Sequence, residues 1–534
     1  MNPQAVPSHR KWGTFVIGCL LILVPGIDLT ALNLAVPHIS ADLDPSATQI
    51  LWIADSYGFA LAGLLITMGA VGDRVGHRNL LLIGVAVFAA ASALTAYAPS
   101  AELLIAARAL LGAAGATLMP SALALIRRVF TDPKERTTAL GAFFGSGALA
   151  VGLGPVLGGG VLEHFWWGAV FLINVPIMAV ILAAGAVLLP GSHGPGHGRV
   201  DVPSVPLSAA GVLGVVYAVK EAAAHGLDAA QVRWGVAVGA AGLALFLWRQ
   251  TRLAHPLIDV RLFRRAAFTG SVTINLFAMF GMVAQSLLFS LYFQLVLGWS
   301  PLRAGLAGLP GAVGAAAGGA ALAAPLISAV GRARTVAVGM AVAAVSYAAF
   351  TGFGTDPSYP LLVVPMVLGG LGMGLALTVT GDTVLASVPR RRAGTASAIS
   401  ETAAELGGAL GMAVLGSVVT AVYRRALETP SGLPAGAEHA ARESLASAAG
   451  AAAALPQDLA ARLLDAARTA YVDGMHAAML ASAAVMACVA VTAVFTLRSV
   501  PKVIPGDAHG EVDGAADDEA DGEVDGDVPA PAAT

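Results

Sequence analysis

Charge is what this 534-residue chain has least of. Only 12% of its residues are Asp, Glu, Lys or Arg, against about a quarter in ordinary soluble domains. A water-facing surface of normal size cannot be built from that. Cysteine is nearly absent: Cys19 and Cys488 both fall inside apolar runs, so no disulfide framework is expected. Histidine occurs singly, as at His225, His255 and His476, with no metal-ligand spacing. No nucleophile–base pair and no phosphate-binding loop can be read, which argues against an enzyme and leaves no metal and no cofactor implied. No basic block suggests nucleic acid. No cleavable leader is expected either, because the apolar run after Arg10 and Lys11 is long enough to span a bilayer and lacks a cleavage-like end.

Apolar sequence is abundant, at 57% of residues, and glycine numbers 63. A bilayer-spanning helix needs about 20 apolar residues, and small residues let such helices approach closely. The hydropathy pattern predicts an all-α membrane protein with fourteen spans: 13–36, 50–71, 79–98, 103–126, 137–162, 166–189, 206–223, 233–249, 268–297, 303–327, 335–353, 360–386, 395–421 and 474–497. Placing the N-terminus in the cytoplasm puts 21 of the 30 Lys and Arg residues on the inner side, as the positive-inside rule requires. Both termini are then cytoplasmic.

The stretch GDRVGHRNLLLIG (72–84) after span two has a weak counterpart, ISAVGRARTVAVG (327–339), after span ten. Such repeats mark secondary transporters built from two similar halves. The expected organisation is a cytoplasmic N-terminus at 1–12, a six-helix half at 13–190, a linker with two extra spans at 191–250, and a second six-helix half at 251–500. The second half includes a long external loop at 424–472, expected to hold two short helices folded back on each other. Residues 501–534 form an acidic tail, expected to be disordered. Its segment 507–527 carries ten acids and no base, so the body of the protein is basic.

Ionisable groups inside the spans are the candidate site. Asp28 lies in the first, with Asn33 after it and Pro25–Gly26 before it. An Asp at a helix centre costs about 2.5–3.5 kcal/mol on insertion scales, so it is either used or paired. It is expected here to face a polar cavity, the alternative being an acid neutralised by a neighbouring arginine. Asp55 lies in span two. Glu401 and Glu405 are one turn apart in span thirteen, with Glu405 about 15 Å from the cytoplasmic end. Arg108 is the basic residue expected within a span, with Asp28 as its candidate partner. Asp382, near the cytoplasmic end of span twelve, reads as one half of a surface ion pair with Arg390–Arg392. Trp52, Tyr57, Phe277, Phe280, Tyr292 and Phe293 are candidate walls of an aromatic cavity. Carboxylates combined with aromatic faces suit a lipophilic cation.

Four motifs carry a family resemblance. GAVGDRVGHR (69–78) resembles the signature loop of the major facilitator superfamily, and RALLGAAGA (108–116) its Arg/Gly motif in helix four. GPVLGG (154–159) resembles the antiporter motif of helix five, and IDLTALNLAVP (27–37) is similar to the first-helix motif of the fourteen-helix drug:proton antiporters. The stretch 51–76 further resembles the quaternary-ammonium and dye exporters of that branch. The resemblance implies a major facilitator fold, working as a monomer in the lipid of the cell membrane. It also implies proton-coupled export of lipophilic cations, driven by the proton gradient. Asp28, Asp55, Glu401 and Glu405 are then the proton- and cation-binding candidates. Gly69, Asp73, Arg74, Gly76, Arg78, Arg108, Gly154, Pro155, Gly158 and Gly159 are the gating and helix-sliding candidates. Span ten lacks the acid that members of this branch often carry there. Export of an endogenous metabolite or antibiotic, and a membrane sensor or scaffold that transports nothing, are the rival readings.

Overall fold

A computed structural model describes residues 7–191, 201, 203–226, 228–253, 256–389, 392–498 and 500–502. Within its helices the side chains of residues 29, 33, 47, 48, 151, 152, 155 and 223–225 are outside the description. The acidic tail, His225, His255, Arg390, Arg391 and the side chains of Asn33 and Pro155 therefore lie outside the described residues.

The described chain is helical throughout, with no strand. The first half contains α1 (Ser8–Leu43), α2 (Ala47–Val75), α3 (His77–Ala96), α4 (Ala101–Val129), α5 (Pro133–Leu162) and α6 (Ala169–Leu188). Two further helices, α7 (Ser204–His225) and α8 (Ala230–Gln250), form the inserted pair. The second half contains α9 (Ala266–Val296), α10 (Pro301–Val330), α11 (Arg332–Gly352), α12 (Tyr359–Ala386) and α13 (Ala393–Ala426). It continues through the short α14 (Ala435–Glu443) and α15 (Leu445–Ala452) and closes with α16 (Gln457–Thr496). Among the described residues, 13 helices are long and apolar enough to cross a membrane. The thirty-residue α5 packs alongside α1 in the same bundle.

Local chemistry fixes the helix ends. Ser46 and Gln49 cap α2 reciprocally, and Ser100 and Asp132 cap α4 and α5 through side-chain oxygens. Two sharp reversals use glycine in the left-handed region, where a Cβ is strained: Gly76 at φ 99° between α2 and α3, and Gly331 at φ 88° between α10 and α11. These are corresponding positions of the repeat seen in the sequence. The two reversals, the start of α1 and the starts of α5 and α13 share one end of the bundle, called here the basic face.

One element differs from expectation. Two short helices are present after α13, but the chain from Gln457 is not a separate hairpin arm. It is the beginning of α16, which runs unbroken for 40 residues. Pro456 starts it. Buried residues such as Leu463, Ala467, Ala470, Val472, Met475 and Met479 then continue through the expected boundary at 474.

Candidate functional site

The first polar centre is in the first half. Asp28 and Arg108 are 2% and 0% exposed, and Arg108 Nη1 donates to Asp28 Oδ2 at 2.5 Å. Asn174 Nδ2 donates to the other carboxylate oxygen at 2.9 Å and to Ser92 at 3.3 Å. Arg108 Nε reaches the Ile53 carbonyl at 3.3 Å, and its guanidinium lies over the Tyr57 ring at 5.1 Å. The expectation that Asp28 faces a polar cavity therefore gives way to the neutralised acid. A carboxylate this deeply desolvated needs a counter-charge, and an arginine one helix away supplies it. Asn174, a single amide in the apolar α6, was the readable signal for the rest of this centre.

Asp55 is paired as well. Its partner is Lys220 from α7. The side chains are 31% and 34% exposed, and the Lys220 ammonium also lies over the Phe59 ring at 4.9 Å. The expected count of four membrane carboxylates against one arginine is thus corrected to two acids in ion pairs and two with no hydrogen bond or ion pair among the described residues, Lys220 acting on Glu405 only from a distance.

The remaining two are Glu401 and Glu405. Neither has a hydrogen-bond or ion-pair partner among the described residues. Glu401 lines a small cavity with Leu123 and Phe144 from the first half and Gly381, Val384, Leu385, Ser397 and Ser400 from the second. Glu405, one turn further along α13, is accessible yet surrounded by protein, which places it on an open crevice rather than the outer surface. The pair lies on the seam between the halves, which pack across it through α2 with α13 and α5 with α10.

Aromatic candidates separate into two groups. Trp52 and Phe277 are exposed. Tyr57 is buried against Arg108. Phe280, Tyr292 and Phe293 are buried in the second half's core: the Tyr292 hydroxyl donates to the Gly354 carbonyl at 2.6 Å, and Phe293 stacks on Trp299 at 5.2 Å. These last three pack helices together and do not wall an open cavity.

The basic face is closed by polar contacts between the halves. Asp73 accepts hydrogen bonds from the backbone N–H groups of Gly394 and Thr395 at 2.9 and 2.8 Å and from the Thr395 hydroxyl at 2.6 Å. It acts as the N-terminal cap of α13 from the other half, where unpaired N–H groups favour an anion. His77 Nε2 lies 2.9 Å from Asp73. Gly69 permits this approach, since a Cβ there would lie 2.6 Å from the Gly394 carbonyl oxygen. Arg74 and Arg78 lie on the same turn, Arg78 donating to the Ala186 carbonyl at 2.6 Å. A second closure joins Arg136 and Arg332 to Asp382 at 2.6 and 2.7 Å, with Thr137 at 3.3 Å. Asp382 is 0% exposed, so the expected surface ion pair is corrected to a buried three-residue network. Arg392 instead pairs with Asp259. Among the described residues, the hydrogen bonds and ion pairs joining the halves directly all lie on this face.

In α5, a Cβ on Gly154 would lie 1.6 Å from the Thr30 hydroxyl oxygen and one on Gly158 2.8 Å from Ala31 Cβ, whereas Gly159 faces open space. The first two glycines seat α5 directly on α1.

Two helical halves packed over a seam with unpaired acids, and polar latches at one end, define a secondary transporter. The chain belongs to the Major Facilitator Superfamily, whose family model matches residues 18–412. It is a multi-pass membrane protein and an efflux transporter rather than an enzyme. It is 44% identical over 489 residues to the multidrug efflux pump LfrA of Mycolicibacterium smegmatis, covering 91% of this chain and 96% of that one. It is 34% identical over 490 residues to the methyl viologen resistance protein SmvA of Salmonella typhimurium, covering 91% and 98%. The tetracenomycin C resistance and export protein of Streptomyces glaucescens is 30% identical over 508 residues, with 94% of each covered. The crystal structure of the human organic anion transporter MFSD10 shares the fold, with a TM-score of 0.59 at 15% identity over 91% of this chain and all of that one.

Proposed function

We propose that this protein is a proton-coupled antiporter that exports lipophilic cations, quaternary ammonium compounds and dyes among them, across the cell membrane. The observation that carries the reading is the Glu401–Glu405 pair on the seam, which has no hydrogen-bond or ion-pair partner among the described residues and only the more distant charge of Lys220 acting on Glu405. Two carboxylates one helical turn apart in a crevice repel each other when both are ionised, so protons and an organic cation compete to neutralise them. The basic face is the cytoplasmic face on the positive-inside rule. On that orientation, closure by Asp73 and by the Arg136–Asp382–Arg332 network supports reading this as an outward-facing arrangement.

The cycle follows from charge balance. With the latches open, a cation from the cytoplasm or inner leaflet reaches the glutamates and releases the protons they hold. The latches then close and the seam opens outward. External protons return to Glu401 and Glu405 and the cation leaves. Asp28 serves as the fixed counter-charge of Arg108, and Asp55 becomes free only when Lys220 withdraws. The protein works as a monomer in lipid, with both termini in the cytoplasm. Span ten carries no acid, which favours monovalent cargo.

The test is ethidium transport into proteoliposomes under an imposed pH gradient. Glu405→Gln and Glu401→Gln are expected to abolish gradient-driven flux in protein that remains folded. Unchanged flux in the double variant overturns the reading. Flux of uncharged antibiotics with none of the cationic dyes points to the metabolite-exporter alternative.

A further inference from the structure

The inserted pair α7–α8 belongs to neither half, yet it contributes a charged side chain to the interior. Lys220 lies 16 residues beyond the start of α7, about 24 Å along it from the basic face. It pairs with Asp55, which is about 12 Å from the opposite end of α2. Around this ammonium are the Asp55 carboxylate and the Phe59 ring at 4.9 Å, Glu405 also acts on it electrostatically, and Trp52 packs on Phe59 with the two rings 5.7 Å apart. A carboxylate beside an aromatic face, with a second ring packed on the first, is the recognition chemistry of an organic ammonium ion. The seat is therefore built for a cation and is filled by one from the protein itself.

The way it is filled matters. Arg108 on Asp28 is wholly buried and carries several fixed contacts, so it cannot leave cheaply. Lys220 is a third exposed, on a flexible four-carbon stem, in a setting where an ion pair contributes little. A tethered group of this kind acts at high local concentration but is displaceable.

We propose that Asp55, Phe59 and Trp52 form an exit site for the organic cation and that Lys220 is its tethered competitor. A cation leaving the Glu401–Glu405 pair passes through this seat, and the returning ammonium expels it and keeps external cations from re-entering. The proposal rests on the cation-export reading. It also assigns the inserted pair a task, delivery of the displacing charge.

Equilibrium binding of radiolabelled tetraphenylphosphonium to the purified full-length protein tests it. Lys220→Met is expected to bind about tenfold more tightly than wild type, or to gain a second equivalent, because the local competitor is gone. Lys220→Arg keeps wild-type binding, and Lys220→Met combined with Asp55→Asn loses the gain. Lys220→Gln provides the same measurement if the Met variant is not monodisperse. Wild-type affinity and stoichiometry in both neutral variants overturn the proposal alone, provided that wild-type binding depends on Glu405. A gain that survives Asp55→Asn also overturns it. No binding by wild type or variants overturns both this proposal and the export reading.

Discussion

Two of the acidic centres within the spans have opposite surroundings. In the first half, Asp28 is enclosed by Arg108 and Asn174. On the seam, Glu401 and Glu405 have no described partner and reach a cavity or crevice. The difference separates two ways in which a membrane protein tolerates a carboxylate. A permanent counter-charge makes the acid part of the scaffold, because withdrawing one member strands the other in low dielectric. Leaving the acid open to a crevice makes its ionisation depend on whatever enters, and that dependence is what coupled transport requires.

Removing one member from each centre is the strongest way to break this comparison. Arg108→Met, or Asp28→Asn, leaves one buried charge unpaired and is expected to cost about 3–5 kcal/mol. The readout is a large fall in thermal midpoint and in monodisperse yield. Asp28→Asn with wild-type yield and stability would place Asp28 with the open glutamates instead. The seam predicts the reverse pattern: Glu405→Gln abolishes coupled flux while the thermal midpoint holds, since no ion pair or hydrogen bond among the described residues is broken.

The latches sharpen the comparison at intermediate magnitude. Asp73→Asn weakens three hydrogen bonds to the N-terminus of α13, each charge-assisted one contributing about 1.5–3 kcal/mol. It is expected to shift the population toward an inward-open form, seen as a longer spin-label distance across the basic face. The smallest effect is expected outside the membrane. Hydrogen bonds from Arg249 push the Asp201 carboxyl down to about 2. A lowered folded-state value means that this pair's contribution is complete above the ordinary aspartate range and is lost as pH falls toward 2. Asp201→Asn should leave transport unchanged and remove only that minor acid dependence of the thermal midpoint.

The spans and the acids were legible in the sequence because each has a local signature, a long apolar run or a charge interrupting one. The glycine turns at 76 and 331 were legible from the repeat. Partnership was legible only for Asp28 and Arg108, the one base expected within a span. Asp55 meets Lys220 across 165 positions, and Asp382 meets Arg136 across 246. No periodicity encodes such distances. Lys220 was obscured further because a lysine near the end of a span is ordinarily an interfacial anchor. The apolar run at 474–497 likewise marked where α16 becomes membrane-like but not where the helix begins, since its Ala-rich extension is helical without being hydrophobic enough to span.

The most direct test of the account is a count of protons released when tetraphenylphosphonium binds to the purified protein in weakly buffered solution near neutral pH. The account predicts measurable release by wild type, and none by the Glu401→Gln/Glu405→Gln double variant in protein of unchanged thermal midpoint. Release that persists undiminished in the double variant would contradict it, because the exchangeable protons would then reside elsewhere.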